Sequence, residues 1–262
     1  MIGAIAGDVI GSIYEKSSTK TTDIELFLPY STYTDDTVMT IAVADAIINN
    51  RSYQECLREW GQRFPKAGYG GRFYGWLHSE TPQPYNSWGN GSAMKASPIG
   101  FAFNTEEEVL KEANKMAEIT HNHPEGIKGA QAVALSVFMA KNGVEKEEIR
   151  RSIAARFDYD LSRSLEEIRP GYSFEVSCMA SVPEAIISFL DSHSLEDAIR
   201  KAISLGGDSD TQACIAGGIA QAYYKEVPDL IREEVNRRLT KEMRSVIEAF
   251  EDRYMQSFLQ PG

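Results

Sequence analysis

Cysteine is scarce in this chain: Cys56, Cys178 and Cys214 stand far apart, with no C-x-x-C pair among them. That spacing excludes a disulfide framework and a cysteine zinc site, and it points to a reducing compartment. No apolar run reaches the ~18–20 residues that a membrane span needs. The residues from Met1 to Ala6 are apolar, but no basic segment precedes them and Asp8 follows early, which does not suit a secretory signal. A cytoplasmic protein without a membrane partner is expected.

Positive charge is also short. With 27 Lys and Arg against 38 Asp and Glu, the formal net charge is −11, the wrong sign for a nucleic-acid surface. An anionic substrate would have to be held locally, by bound cations, backbone N–H groups or a few side chains. No Pro/Ser-rich linker, low-complexity tract or internal repeat divides the chain. Residues 1–262 therefore read as one domain, and a hydrophobic content of 42% suffices for a large core.

Alternating strand patterns are missing as well, and helical spacing takes their place. Apolar residues at three- and four-residue steps predict helices over 38–48, 106–119, 126–140, 146–157, 183–190, 195–205, 211–224 and 240–258. The expected fold class is all-α. Residues 66–100 differ, because glycines and aromatics crowd there, with Gly70-Gly71, Trp88-Gly89 and Asn90-Gly91 as turn signals. They read as a long, ordered loop region.

Against these absences stand two aspartate clusters, Thr34-Asp35-Asp36-Thr37 and Asp208-Ser209-Asp210-Thr211, each opening an apolar stretch with helical spacing. Capping is one reading: Thr34, and Asp208 or Ser209, suit helix starts, where the macrodipole favours carboxylates. A cation is the other. Carboxylates crowded at two helix starts repel unless something positive lies between them, and ligands that are all oxygen suit a hard ion such as Mg²⁺ or Mn²⁺. Gly206-Gly207 would let the backbone turn tightly before Asp208. The pair His121 and His123 could suggest zinc, but no cysteine or third histidine lies nearby.

Four segments in order, Gly7-Asp8-x-x-Gly11-Ser12-x-x-Glu15, Thr34-Asp35-Asp36-Thr37, Gly89-Asn90-Gly91-Ser92-Ala93-Met94 and Gly206-Gly207-Asp208-Ser209-Asp210-Thr211, resemble the ADP-ribosylglycohydrolase family from about residue 1 to 224. The resemblance implies an all-α orthogonal bundle with two Mg²⁺ ions, Mn²⁺ being possible, held by Thr34, Asp35, Asp36, Asp208, Asp210 and Thr211. It further implies hydrolysis of the link between ADP-ribose and an acceptor, with an ADP-ribosylated protein or a small ADP-ribose derivative as partner. Glu15, Asp35, Asp36 and Asp208 are then the catalytic candidates. Glu15 resembles the glutamate of the branch that cleaves serine-linked and O-acetylated ADP-ribose, where it sits on a flap; residues 16–32 are the candidate flap.

The turn Ser87-Trp88-Gly89-Asn90-Gly91-Ser92 suits a diphosphate, since glycines let N–H groups approach it and Ser92 would open a helix. Tyr69, Phe73, Tyr74, Tyr85 and Trp88 are candidates to stack on an adenine. His121 resembles the family residue that touches the diphosphate, whereas His123 reads as a cap. Two alternatives are an isoprenoid synthase, although its D-D-x-x-D pattern fails at Met39, and a crystallin-like binding protein of the same family.

Overall fold

The computed structural model describes residues 1–256. Its helices are α1 (Ile2–Gly11), α2 (Asp35–Ile48), α3 (Tyr53–Arg63), α4 (Gly71–His78), α5 (Ser97–Ala102), α6 (Glu106–Ala117), α7 (Pro124–Lys141), α8 (Lys146–Phe157), α9 (Leu165–Ile168), α10 (Cys178–Leu190), α11 (Leu195–Ile203), α12 (Ser209–Tyr224), α13 (Asp229–Arg238) and α14 (Lys241–Tyr254). Among the described residues there is no strand; the nearest approach to one is an antiparallel bridge between Gly89 and Ser177. The all-α expectation holds.

Two helices are apolar nearly all round and therefore lie inside. Every residue of α1 is buried, and α12 is buried from Ser209 to Ala222. Their axes come unusually close because α1 carries glycine at every fourth position facing α12. A Cβ on Gly7 would overlap the Ala213 carbonyl, one on Gly3 would overlap the Gly217 carbonyl, and one on Gly11 would lie 2.6 Å from the Asp210 Cα. Around this pair pack α11, α10 and α7, with α2 against α1 and α3.

Helix starts follow the sequence chemistry. Thr34, Thr105, Ser194 and Thr240 cap α2, α6, α11 and α14 through their side chains, and Ser164 with Glu167 forms a capping box on α9. His123 caps α7, its ring accepting from the Glu125 N–H. The boundaries predicted over 146–157 coincide with α8. The helix predicted over 183–190 starts earlier, at Cys178, and runs through Pro183, whose missing N–H removes one bond near the helix start. Positions 257 and 258 of the last predicted helix lie outside the described residues.

The long loop expected over 66–100 needs correction. It contains α4, the single 3₁₀ turn Asn90–Ser92 and the start of α5. Glycines lower the helix propensity of 71–78, but Phe73, Trp76 and Leu77 fall on one face and are buried, which outweighs it. Helix α3, not predicted, buries Tyr53, Cys56, Leu57 and Trp60 at the same spacing.

The closeness of α1 and α12 gives a stability prediction. Gly7→Ala gains up to ~1 kcal/mol of helix propensity but forces two backbones apart, and overpacking of this kind costs roughly 1–3 kcal/mol or more. A net loss should be read in urea unfolding. Gly75→Ala in α4, whose Cβ would meet nothing within 4 Å among the described residues, should be neutral or stabilising. Equal effects for the two substitutions would contradict this account of the contact.

Candidate functional site

The two aspartate clusters, far apart in sequence, meet at the N-terminal ends of α2 and α12. Thr211 Oγ1 lies 3.3 Å from Asp36 Oδ2. One carboxylate oxygen each from Asp8, Asp36 and Asp210 lie within 4.8 Å of one another, and so do one each from Glu15, Asp208 and Asp210. Asp210 belongs to both groups. Asp36 is only 2% exposed, and its Oδ1 has no hydrogen-bond partner among the described residues.

Local structure explains the convergence. Helix α1 ends at Gly11, and the next turn, with the Glu15 N–H donating to the Gly11 carbonyl at 3.1 Å, delivers Glu15 beside Asp208 and Asp210. Residues 16–32 then return the chain to Thr34. That segment is strapped down: Lys20 Nζ donates to the Tyr172 and Leu205 carbonyls, Ser18 to the Gly206 carbonyl, Arg200 to the Thr22 and Ile24 carbonyls, and Arg238 to the Ser31 carbonyl. Gly206 turns with φ +69°, and a Cβ there would meet Ser18 Oγ at 2.6 Å. The glycine thus serves both the turn before Asp208 and the strap.

Above the clusters opens a cleft of about 460 Å³, within the range of small-ligand sites. Its lining includes Glu15, Asp35, Asp36, Asp208, Asp210 and Thr211 together with Ser87, Trp88, Gly89, Asn90, Gly91 and His121. Of the candidate aromatics, Phe73, Tyr85 and Trp88 line it, with Trp88 45% exposed. Tyr69 and Tyr74 do not line it; the Tyr69 ring packs on Phe73, and the Tyr74 ring lies tilted against His78.

Two members of the 87–92 turn depart from expectation. Ser92 is fully buried, its hydroxyl donating to the Gly126 carbonyl at 2.6 Å, and it ends a three-residue 3₁₀ turn instead of opening a helix. It pins the turn to α7 and does not face the cleft. Asn90 lines the cleft, but its Nδ2 donates to Asp208 Oδ2 at 2.8 Å and its N–H to the Val176 carbonyl. It therefore orients a carboxylate of the second cluster.

Three charged residues of the site, Asp8, Lys95 and Arg72, escaped the sequence reading as ligating or lining groups, the first two from within helical or apolar segments. Asp8 is fully buried in α1 and accepts hydrogen bonds from Thr34 and Thr37. Lys95, 1% exposed, donates to the Gly91 carbonyl and lies 5.9 Å from the Phe73 ring centroid. Asp8 and Lys95 were each signalled by a lone charge within an apolar stretch. Arg72 adds a second cation to the lining, its guanidinium over the Tyr85 ring.

Burial and mutual repulsion raise the carboxyl pKa values. Asp8 and Asp35 are pushed up to about 7, first by desolvation and then by Asp210. Asp36 and Asp208 are pushed well above the ordinary range for the same two reasons, and Glu15 is raised. Burial lowers Lys95 to about 8 against the pull of Asp35, and it holds His121 neutral, with Lys95 and Arg72 adding to the effect. An all-oxygen donor set, an unpartnered buried carboxylate oxygen and carboxyls that resist ionising together fit a hard divalent cation.

These shifts fix a pH dependence. Between the ordinary value of 3.8 and about 7, the folded chain keeps protons on Asp8 and Asp35 that the unfolded chain releases. Their contribution to stability is therefore lost as pH rises through that window. In EDTA, the Tm should fall from about pH 5 to about pH 7.5, and Mg²⁺ or Mn²⁺ should raise it more at the higher pH. A Tm in EDTA that climbs across this window, or a cation effect independent of pH, would contradict the cluster electrostatics.

Comparison with known proteins agrees with this architecture. ADP-ribosylhydrolase ARH3 of Mus musculus is 27% identical over 312 aligned residues, covering 87% of this chain and 84% of its own. ADP-ribosylarginine hydrolase Tri1 of Pseudomonas putida is 25% identical over 263, covering 86% and 69%. A solved structure, described as an ADP-ribosylglycohydrolase-related protein complex, shares the fold with a TM-score of 0.71 over 97% of both chains, at 22% identity. The family described as ADP-ribosylglycohydrolase matches residues 1–261, which removes the isoprenoid synthase alternative. By that match over nearly its whole length, the chain belongs to the ADP-ribosylglycohydrolase family.

Proposed function

We propose that this protein is a hydrolase dependent on a divalent cation, cleaving the glycosidic bond of ADP-ribose conjugates and releasing ADP-ribose. The observation that carries the reading is the pair of carboxylate groups sharing Asp210 beneath the cleft. Two Mg²⁺ ions, or Mn²⁺, would be held by Thr34, Asp35, Asp36, Asp208, Asp210 and Thr211, with Glu15 within reach of the second group. When bound, such ions supply positive charge that fixes ribose hydroxyls and makes water a better nucleophile at neutral pH.

The chain's own residues do the rest. Trp88, Tyr85 and Phe73 offer apolar faces for a base, and Arg72 and the glycines of 87–91 line the path of a diphosphate. His121, neutral, packs against that turn, with its Nδ1 tied to Thr120 Oγ1 at 2.7 Å. Breaking the anomeric bond builds positive charge on the ribose, which the surrounding carboxylates stabilise. Glu15 stands at the open side of the clusters and handles the proton of the attacking water or of the leaving group. The crystallin-like alternative lacks a reason to keep this complete oxygen set.

The test is incubation with Mg²⁺ and arginine-linked, serine-linked, O-acetylated and 1″-phosphorylated ADP-ribose, following free ADP-ribose. At least one conjugate should be cleaved, and EDTA should stop the reaction. Asp36→Ala and Asp208→Ala should abolish turnover with helical content preserved. Glu15→Ala should lower turnover of the cleaved conjugate by roughly 10²-fold or more, with product affinity little changed. A Glu15→Ala enzyme of parental rate would leave the aspartates as the sole catalytic carboxylates, and cleavage of no conjugate would defeat the reading.

A further inference from the structure

Asp8 makes an arrangement that ligation alone does not explain. Its Oδ1 accepts from Thr34 Oγ1 at 2.6 Å, and its Oδ2 accepts from the Thr34 N–H at 2.9 Å, the Thr37 N–H at 3.1 Å and the Thr37 hydroxyl. Both oxygens are thus engaged by the first turn of α2 while the carboxylate is fully buried. The close packing of α1 on α12 at Gly7 and Gly11 fixes where Asp8 stands.

A threonine hydroxyl has one proton and two lone pairs. Two acceptors lie near Thr34 Oγ1: Asp8 Oδ1 at 2.6 Å and Asp36 Oδ2 at 3.4 Å. If the proton goes to Asp8, one lone pair accepts the capping Asp36 N–H and the other is left for the cluster. If it goes to Asp36, it fills the space between the oxygens and masks one of them. The shorter contact decides, and it favours Asp8.

We infer that Asp8 is a positioning residue: it takes the Thr34 hydroxyl proton and so presents Thr34 Oγ1 to a divalent cation as a ligand. The inference rests on the reading of Thr34 as a cation ligand. Partners that orient metal ligands in this way typically change affinity by roughly 10- to 100-fold when altered.

Asp8→Asn keeps the shape but replaces one acceptor by a donor, so Mn²⁺ affinity by calorimetry should fall roughly 10- to 100-fold, with the far-UV spectrum unchanged. Removing a negative charge near a cation would also weaken binding, so the deciding readout is coupling. In Thr34→Val, which has no hydroxyl to orient, adding Asp8→Asn should cost only the lost charge, clearly less than in the parent; in Thr34→Ser, which keeps one, it should produce the full loss. Independent, multiplying effects in the Val background would overturn the inference, as would parental affinity in Asp8→Asn. Should Asp8→Asn not fold, the parent protein itself serves: NMR should find the Thr34 hydroxyl proton slow to exchange both without and with Mg²⁺, and rapid exchange overturns the assignment. A parent that binds no Mn²⁺ would instead defeat the cation site and this inference with it.

Discussion

The site follows from crowding carboxylates at the floor of a cleft where few waters can solvate them. Two like charges 4 Å apart at an effective dielectric constant of about 20 repel by about 4 kcal/mol, and whole domains are stable by only about 5–15 kcal/mol. Asp8, Asp36, Asp208 and Asp210 are all buried, and oxygens of three of them fall within 4.8 Å of one another. They cannot all stay ionised on their own, so the cluster takes up protons or a cation. Its lysine, Lys95, is itself pushed toward neutrality by burial and is tied to Gly91.

The scaffold exists to hold that unfavourable arrangement still. Helix α1 reaches α12 through a seam of glycines, so a carboxylate in the middle of an apolar helix comes to rest against the first turns of α2 and α12. Asn90 ties Asp208 to the glycine-rich turn of the cleft. The strap over residues 16–32 anchors the chain after Glu15 to the backbone just before Asp208. Groups that would repel are thus fixed by the packing of their neighbours, with Asp36, Asp208 and Asp210 lining one cleft.

Much of this was legible in the chain. The helices with strong periodicity were readable, and both aspartate clusters stand at helix starts as their composition indicated. Capping and clustering prove compatible: Thr34 caps α2 and also stands beside Asp36. Helix α4 was hidden because glycine disguised a stretch whose Phe73, Trp76 and Leu77 are held by tertiary burial. Asp8 and Lys95 were hidden for another reason. A lone charge in an apolar run looks like an interruption until the fold reveals its partners. Ser92 carried a correct turn signal, but which way a hydroxyl in a turn faces depends on α7, distant in sequence.

The most direct test of the central claim is an anomalous diffraction measurement on crystals soaked in Mn²⁺. Strong peaks are expected among the oxygens of Asp36, Asp210 and Thr211 and among those of Glu15, Asp208 and Asp210. Crystals that diffract well at neutral pH in saturating Mn²⁺, yet have no anomalous density between these carboxylates, would contradict it.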